Sequence, residues 1–279
     1  MDNNLCDMKC INKGLTADIY ETKEHKILKL FFEDTYEPRK TREYEILKNI
    51  SIKSGSKLKV PNVYETVKIN NRDGFFMDKY SYSSLEKKYW FRLIEKVRKT
   101  ASVCQQIRSD ISIEGDCDIK DFIRPIVEEA ELSIHIKDFL HKTLDDLPNG
   151  NYACHGDLHS ENILLCGEDE YMLIDWSEGG KGDYLFEIAK ILTVYQYHPY
   201  AGFEDERIDA KGVLHQITYK VNKNLLDIFL KEMSKDEKID MERLQQWQMI
   251  LDTMVLKNME GKRSECVYNK IQLSYERFR

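Results

Sequence analysis

The segment between His155 and Asp183 constrains the fold of this chain most strongly, because it predicts a defined turn between two strands. It contains two short apolar runs, Ile163–Cys166 and Tyr171–Ile174, which are separated by the polar stretch Gly167–Glu170. An apolar run, a polar turn with Gly and a second apolar run are typical of a β-hairpin. The segment therefore predicts a hairpin near the middle of the chain.

The predicted hairpin brings oxygen-bearing side chains together at its open end. If Gly167–Glu170 is a four-residue turn, symmetric pairing places Asn162 opposite Asp175. Asp157 precedes Asn162 by five positions, in the loop that leads into the first strand. Three such side chains at one point are suited to Mg²⁺ and phosphate chemistry.

The order of these residues resembles the catalytic core of the protein-kinase-like fold, in which His-x-Asp-x-x-x-x-Asn precedes a hairpin and an Asp. The letters HGDLHSEN and LIDW are similar to those of the aminoglycoside phosphotransferase and choline kinase family. The resemblance implies a two-lobed α+β fold. Residues 1–80 would form an N-terminal nucleotide-binding lobe, an antiparallel β-sheet with one key helix. Residues 81–279 would form a mostly helical C-terminal lobe that carries the catalytic and acceptor-binding residues.

A lysine in an apolar strand is the second unusual feature, since lysine is rarely buried without a partner. The resemblance implies that Lys29 holds the α- and β-phosphates of a nucleotide and is itself held by a Glu on the next helix. In the helix predicted over residues 36–50, Glu43 lies on the apolar face and Glu45 on the polar face. We therefore expect Glu43 to pair with Lys29. The alternative is an exposed strand face.

Further nucleotide contacts follow from the resemblance. Gly14 and Thr16 lie in a small-residue loop between two predicted strands, where backbone N–H groups can contact phosphates. The strand that ends near Tyr80 is expected to form the hinge. Met77 would line the back of the adenine pocket, and the backbone from Asp78 to Tyr80 would face the base. These residues leave the choice between ATP and GTP open.

The resemblance also implies roles for residues of the segment from His155 to Asp183, which we call the catalytic segment; its first part, His155–Asn162, is the catalytic loop. Asp157 would be the catalytic base that accepts the proton of a substrate hydroxyl, and Asn162 and Asp175 would hold Mg²⁺. His155 is expected to fix the loop by hydrogen bonds, and His159 is undecided between the site and loop packing. The rival hypothesis is a hydrolytic metal site at these His and Asp residues, for which the sequence offers no second ligand cluster.

The rest of the chain predicts a simple succession of elements. We expect five strands and one helix in the first 80 residues, with residues 51–59 as a polar loop and residues 70–74 as a hairpin turn. Residues 85–108 have a helical pattern, residues 110–118 predict a loop, and residues 119–147 predict one or two helices. Asp183 is expected to cap the following helix.

The acceptor is predicted to be a small molecule. Only a few residues separate Trp176 from Asp183, where protein kinases carry a long activation segment. A cationic acceptor could contact a group of acidic residues further along the chain, although a solvated loop is the simpler interpretation. These residues are Glu204, Asp205, Glu206 and Asp209.

Composition and charge argue against several other classes of protein. The net charge is -7, and the acidity is concentrated in residues 81–180, which argues against a nucleic-acid partner. No signal peptide and no apolar run of membrane-spanning length are found, so we expect a cytoplasmic protein with no membrane partner. The seven Cys include no CxxC pair and are expected to be free thiols. We expect a monomer or a weak dimer.

Together these features predict a phosphotransferase. It would move the γ-phosphoryl group of ATP or GTP to a hydroxyl of an aminoglycoside-, choline- or sugar-like acceptor, with Mg²⁺ as cofactor. The alternative is a nucleotide-binding pseudoenzyme, or a protein kinase, of the same fold.

Overall fold

The chain folds into an antiparallel β-sheet followed by a mostly helical region, which confirms the predicted two-lobed α+β class. This computed structural model describes residues 8–14, 16–197, 210–235, 237–257 and 261–279. Among these residues, no helix is both long enough and apolar enough to cross a bilayer.

The N-terminal region contains one helix, α1, which spans Glu37–Asn49. The strands are β1 (Lys9–Lys13), β2 (Ala17–Glu21), β3 (Lys26–Phe31), β4 (Ile50–Ile52), β5 (Leu58–Lys59), β6 (Val63–Ile69) and β7 (Arg72–Asp78). Five of the described strands form one antiparallel sheet in the order β1-β2-β3-β7-β6. Pro38 lies in the first turn of α1, where a missing N–H has no cost.

The hairpin between β6 and β7 turns more tightly than the sequence predicts. Its turn consists of Asn70 and Asn71, which have φ angles of 49° and 63°. Positive φ at both central residues is the type I′ geometry, which matches the right-handed twist of the flanking strands. The predicted turn over residues 70–74 is therefore too long at its second end.

The C-terminal region is built from eight further helices and six short strands among the described residues. In chain order they are β8 (Ser83–Ser84), α2 (Leu85–Lys88), α3 (Leu93–Asp110), β9 (Ile111–Ile113), α4 (Ile119–Glu129), α5 (Ile134–Asp146), β10 (Tyr152–Cys154), β11 (Ile163–Leu165), β12 (Tyr171–Leu173), β13 (Gly180–Gly182), α6 (Tyr184–Gln196), α7 (Ala210–Met233), α8 (Met241–Leu256) and α9 (Gly261–Phe278).

The helical pattern predicted over residues 85–108 forms two helices, because a turn separates α2 from α3. Ser84 caps α2 by accepting a hydrogen bond from the backbone N–H of Lys87. Tyr89 then turns into the core, whereas Trp90 and Phe91 are exposed. Three consecutive aromatic residues cannot all lie on the buried face of one helix, and the helix breaks where they occur.

The loop predicted at residues 51–59 is also wrong, because this segment pairs with strands from the C-terminal region. Strand β4 pairs with β9 inside the other predicted loop, residues 110–118, and β5 pairs with β12. Strands of two or three residues carry too little alternation to be recognised without their partners. The predicted boundary at residue 80 stays a prediction, with these two pairings crossing it.

Asp183 links two helices of the C-terminal region, α6 and α8. Its side chain accepts a hydrogen bond from the Leu185 N–H at the start of α6, at 3.2 Å, as the N-cap prediction requires. It also accepts one from the Trp247 indole N–H of α8 at 2.9 Å and forms an ion pair with Arg243 at 3.3 Å. The Trp247 ring packs edge-on against Phe186 in the core.

Replacing Asp183 with Ala should destabilise the protein strongly. The change removes the α6 cap and leaves the buried Trp247 N–H without an acceptor, a loss on the order of 3 kcal/mol in the free energy of unfolding. Urea denaturation measures it. Asp145→Ala is the matched control, because that carboxylate forms an exposed ion pair with Arg124. Equal losses in the two variants would contradict this role of Asp183.

Candidate active site

The hairpin in the catalytic segment is present, but its register differs from the prediction by one residue. Strands β11 and β12 pair Leu165 with Tyr171 and Ile163 with Leu173. The Cys166 N–H donates to the Glu170 carbonyl, so the turn has three residues and Asp169, at φ 55°, completes it. A residue in the left-handed region closes three-residue hairpin loops, a role for which Asp is better suited than most residues.

As a consequence, Asn162 does not face Asp175. The Asn162 carbonyl accepts a hydrogen bond from the Ile174 N–H at 3.1 Å, which places Asp175 one residue past the pair. Asp175 has a φ of 64°, an uncommon conformation for a non-glycine residue that turns the chain sharply after the strand. The Ser177 hydroxyl donates to the Asp175 carboxylate at 3.0 Å, which helps to hold it.

Lys29 connects the sheet to the catalytic segment. Its Nζ lies 2.6 Å from the Glu43 carboxylate and 3.0 Å from that of Asp175. Lys29 and Glu43 are 5% and 1% exposed, so each buried charge depends on the other. Glu45 is exposed on the other face of α1, as helical spacing predicts.

The electrostatics of this triad favour the charged lysine. Burial alone would lower the pKa of Lys29, but the carboxylates of Glu43 and Asp175 outweigh it and raise that pKa. Burial acts to raise the pKa of Asp175, and the Lys29 ammonium nevertheless holds it below its usual value. Lys29 is therefore a fixed positive charge beside an ionised carboxylate.

His155 fixes the catalytic loop through both of its ring nitrogens. Nε2 lies 3.0 Å from the Ile174 carbonyl, and Nδ1 accepts a hydrogen bond from the Asp157 N–H at 3.3 Å. The ring is fully buried and packs against Trp176 at 4.5 Å between centroids. Burial lowers the pKa of His155 to about 4, so the imidazole is neutral at neutral pH.

These contacts argue against the hydrolytic metal site. A metal ligand needs a free ring nitrogen, and both nitrogens of His155 are engaged within the loop. Among the described residues, no group of three or more His, Cys, Asp or Glu side chains is arranged to hold a metal ion. The geometry instead supports the expectation that His155 is a scaffold residue.

Gly156 permits the close approach of two loops. Its φ is 78°, and an added Cβ would lie 2.0 Å from the Glu178 carbonyl oxygen. The Gly156 N–H donates to the Glu187 carboxylate of α6 at 2.9 Å. A side chain at this position would thus displace the loop that carries Asp157.

Asp157 is held among several charged groups. The His159 Nε2 lies 3.7 Å from its carboxylate, which gives His159 a contact inside the site. The side-chain amide of Asn162 donates to the Asp157 carbonyl at 2.9 Å. Burial acts to raise the pKa of Asp157, but His159, Lys190 and His155 together hold it well below its usual range. Asp157 is thus an ionised carboxylate.

The residues present fit a Mg²⁺ ion bound together with phosphates. The Asn162 amide nitrogen is used within the loop, which leaves its oxygen as the ligand atom. The Asp157 carboxylate acts electrostatically on that of Asp175, so the two lie in one region. Together with the Asn162 amide oxygen they supply three oxygen ligands there. Mg²⁺ in such sites takes one or two carboxylates and completes its shell with water and phosphate oxygens.

Four charged residues that the sequence analysis did not single out surround this centre. Glu178, three positions after Asp175, forms ion pairs with Arg39 of α1 and, at 2.6 Å, with Lys190 of α6. Arg42 of α1 donates to the Gly179 carbonyl at 2.6 Å and to the Asp118 carbonyl at 2.9 Å. These contacts fix the helix that carries Glu43. Arg39 precedes Glu43 by four positions and precedes Arg42 by three, so the two arginines share one side of α1, which was the available signal.

Several backbone groups that the sequence analysis assigned to nucleotide binding already form hydrogen bonds within the protein. The Gly14 N–H donates to the Ala17 carbonyl at 2.9 Å, and the Thr16 carbonyl accepts from the Thr35 hydroxyl at 2.8 Å. The Asp78 N–H donates to the Asn62 carbonyl at 3.0 Å.

Two other predicted nucleotide contacts line the interior. Met77 is buried at 3% exposure. Burial raises the pKa of Tyr80 to about 12, and the Lys29, Glu43 and Asp175 charges act on the same hydroxyl. Tyr80 therefore lies within reach of the charged triad, so the hinge and the ion pairs belong to one region.

Two sequence predictions lie outside the described residues. They concern the acidic group, formed by Glu204, Asp205, Glu206 and Asp209, and the thiol of Cys6. None of the six Cys residues that the structure describes is part of a disulfide.

Comparisons with known proteins agree with this geometry. Residues 121–218 match the model of the APH phosphotransferase enzyme family, a range that includes the whole catalytic segment. No curated protein gives a significant match. The match to residues 121–218 and the solved structures described next confirm the predicted resemblance to aminoglycoside phosphotransferases and choline kinases. The matched family is one of enzymes.

Similar solved structures span nearly the entire chain. A thermostable mutant of aminoglycoside phosphotransferase APH(4)-Ia has a TM-score of 0.53 and 14% identity, covering 97% of this chain and 94% of that one. Choline kinase LicA from Streptococcus pneumoniae has a TM-score of 0.55 and 16% identity, covering 97% and 93%. A choline/ethanolamine kinase family protein from Mesorhizobium loti has a TM-score of 0.52 and 12% identity, covering 96% and 88%. At these identities the similarity establishes the fold.

The burial of Glu187 generates a prediction about pH. Burial raises the pKa of its carboxyl to about 7, above its value of about 4.5 in the unfolded chain. As the pH rises, the unfolded chain loses this proton at a lower pH than the folded protein does. The free energy of unfolding of the wild type therefore falls between about pH 4.5 and about pH 7. Gln keeps an acceptor for the Gly156 N–H but carries no charge.

Glu187→Gln should therefore gain stability relative to wild type between pH 5 and pH 8, by on the order of 2–3 kcal/mol. Urea unfolding of both proteins at both pH values measures this difference, because other groups titrate equally in the two. A difference that is the same at pH 5 and pH 8 would contradict the raised pKa.

Proposed function

We propose that this chain, whose residues 121–218 match a phosphotransferase family, transfers the γ-phosphoryl group of a nucleoside triphosphate to a hydroxyl of a small molecule. The observation that carries the proposal is the contact of Lys29 with both Glu43 and Asp175, beside a loop that presents Asp157. A fixed cation near the ionised carboxylates of Asp175 and Asp157 is the charge arrangement that phosphoryl transfer needs.

Asp157 is the proposed catalytic base. It orients the acceptor hydroxyl and takes its proton as the hydroxyl oxygen bonds to the γ-phosphorus and the bond to the β–γ bridging oxygen breaks. The low pKa of Asp157 keeps it ionised over the neutral range, so it can accept a hydrogen bond from the hydroxyl before transfer. His159 and Asn162 hold the loop in that orientation.

Lys29 is the proposed contact for the α- and β-phosphates. Glu43 keeps the ammonium in place, while phosphate oxygens would take over its contact with Asp175. Asn162 and Asp175 would hold Mg²⁺, which when bound neutralises charge on the phosphates and aligns them. The freed Asp175 oxygen would then be available as its ligand.

The base of the nucleotide is proposed to contact the hinge after β7. The Asp78 N–H is already bonded to Asn62, so main-chain contacts fall to Lys79 and Tyr80, with Met77 behind the base. The Gly14 N–H is engaged as well, so Lys29 and the cation would carry most of the phosphate binding. Similar structures hold ADP or GDP, and the proposal covers both ATP and GTP.

A small acceptor is favoured by the segment after Asp175. This segment is short and rigid, because β13 pairs with β10 and Glu178 is held by two cations. It leaves no platform for a protein substrate. The similar enzymes include a complex with ADP and hygromycin B and a choline kinase, and the acidic C-terminal region favours cationic acceptors of that kind.

Asp157→Asn should abolish transfer and leave nucleotide binding largely intact. We expect a loss of about a thousandfold or more in kcat with an acceptor that the wild type uses, because the amide cannot accept the proton. ADP release, followed across a panel of aminoglycosides, choline, ethanolamine and sugars, measures turnover. Calorimetry measures MgATP affinity.

Glu161→Gln is the matched control, since Glu161 is exposed in the same loop and should keep full activity. Full activity in Asp157→Asn would contradict the assigned base. Nucleotide binding by the wild type without transfer to any acceptor in the panel would contradict the proposed function.

A further inference from the structure

An exposed apolar surface lies at the turn between α2 and α3. Trp90, Phe91 and Ile94 are 61%, 90% and 50% exposed, and Leu93 is also exposed. We call these four residues the aromatic turn. Contiguous exposure of large apolar side chains is uncommon in soluble proteins and marks surfaces that contact something else.

Among the described residues, no other part of the chain covers these four side chains. Tyr89, directly before the aromatic turn, is buried and anchors it to the core. The rings of Trp90 and Phe91 stack edge-to-face on each other, with centroids 5.8 Å apart. The chain thus holds two large rings outward on an anchored turn.

The exposed charged residues of α2, directly before the aromatic turn, are lysines. Lys87 and Lys88 of α2 are exposed next to Trp90. The acidic residue of that helix, Glu86, points inward and pairs with Lys96 at 2.8 Å. Arg92 pairs with Glu95, so the two lysines supply the local excess of charge in a protein of net charge -7.

We propose that the aromatic turn, with Lys87 and Lys88, docks this protein on an anionic lipid surface. Trp and Phe flanked by Lys are the composition that inserts at the headgroup level of a bilayer, with the cations contacting acidic headgroups. A second copy fits less well, because a symmetric contact would bring the lysines of both copies together. The proposal is independent of the phosphotransferase function. It departs from the expectation of no membrane partner, which rested on the lack of an apolar run of membrane-spanning length.

Docking would also orient the catalytic loop. The Glu86 N–H donates to the Ser160 carbonyl at 3.0 Å, and the Glu86 carboxylate accepts from the Ser160 hydroxyl. The helix that carries the two lysines is therefore joined to the loop of Asp157 and Asn162. A protein bound through this surface would hold that loop at a fixed height above the bilayer.

The test is sedimentation of the full chain with vesicles. One set contains phosphatidylcholine with phosphatidylglycerol, and the other contains phosphatidylcholine alone. We expect binding to the anionic vesicles, at least about tenfold weaker binding to the neutral ones, and weaker binding as salt is added.

Two double variants separate the contributions. Trp90→Ser with Phe91→Ser, and Lys87→Glu with Lys88→Glu, should each reduce binding to anionic vesicles by about tenfold or more. The matched control is Ile134→Ser with Leu273→Ser, which removes exposed apolar side chains from α5 and α9 and should not change binding. All changes lie on the surface, and an unchanged thermal midpoint verifies that each variant is folded.

Three results would overturn the proposal. The first is that the wild-type protein stays in the supernatant with both vesicle sets. The second is that both double variants still bind anionic vesicles as the wild type does. The third is that the wild type forms a concentration-dependent dimer, which the Trp90 and Phe91 changes dissociate. The last result would assign the surface to a second copy. Light scattering of the wild type and the variants, without lipid, detects it.

Discussion

The structure depends on one buried cation, the Lys29 ammonium, held between two carboxylates. Its partners come from α1 and from the end of the hairpin, and Asp175 is 146 residues away in the chain. Removing a charge of this kind from water is costly, and only close partners with good geometry offset the cost. The same three side chains therefore align the sheet, the helix and the catalytic segment. A misplaced α1 would leave Glu43 without a partner and Lys29 with Asp175 alone.

The surroundings of this pair are arranged to keep the helix in place. Arg39 and Arg42 extend from α1 to the segment that follows Asp175. On the other side of the centre, neutral His155 joins the Asp157 loop to Ile174, and Gly156 allows that loop to approach Glu178 closely. Loops with positive φ and buried charges cost stability, and such features cluster where function requires them.

Sequence reasoning succeeded where the signal is local. The period of α1 distinguished Glu43 from Glu45, and the cap at Asp183 was visible from its position before an apolar helix. It failed where the outcome depends on distant partners. The register of the hairpin depended on Asp169 adopting the left-handed conformation, which shortened the turn by one residue. The short strands β4 and β5, and the ion pairs of Glu178, exist only because their partners are brought close by the fold.

The central claim is that Asp175 serves both as the partner of Lys29 and as a ligand for a nucleotide-bound cation. Calorimetric titration of ATP with and without Mg²⁺, on wild type and Asp175→Asn, tests it most directly. Asn tolerates the positive φ of this position, so the backbone is not disturbed by the change. We expect Mg²⁺ to tighten ATP binding in the wild type and in the exposed-residue control Glu161→Gln, and we expect Asp175→Asn to lose this gain. An undiminished gain in Asp175→Asn would contradict it.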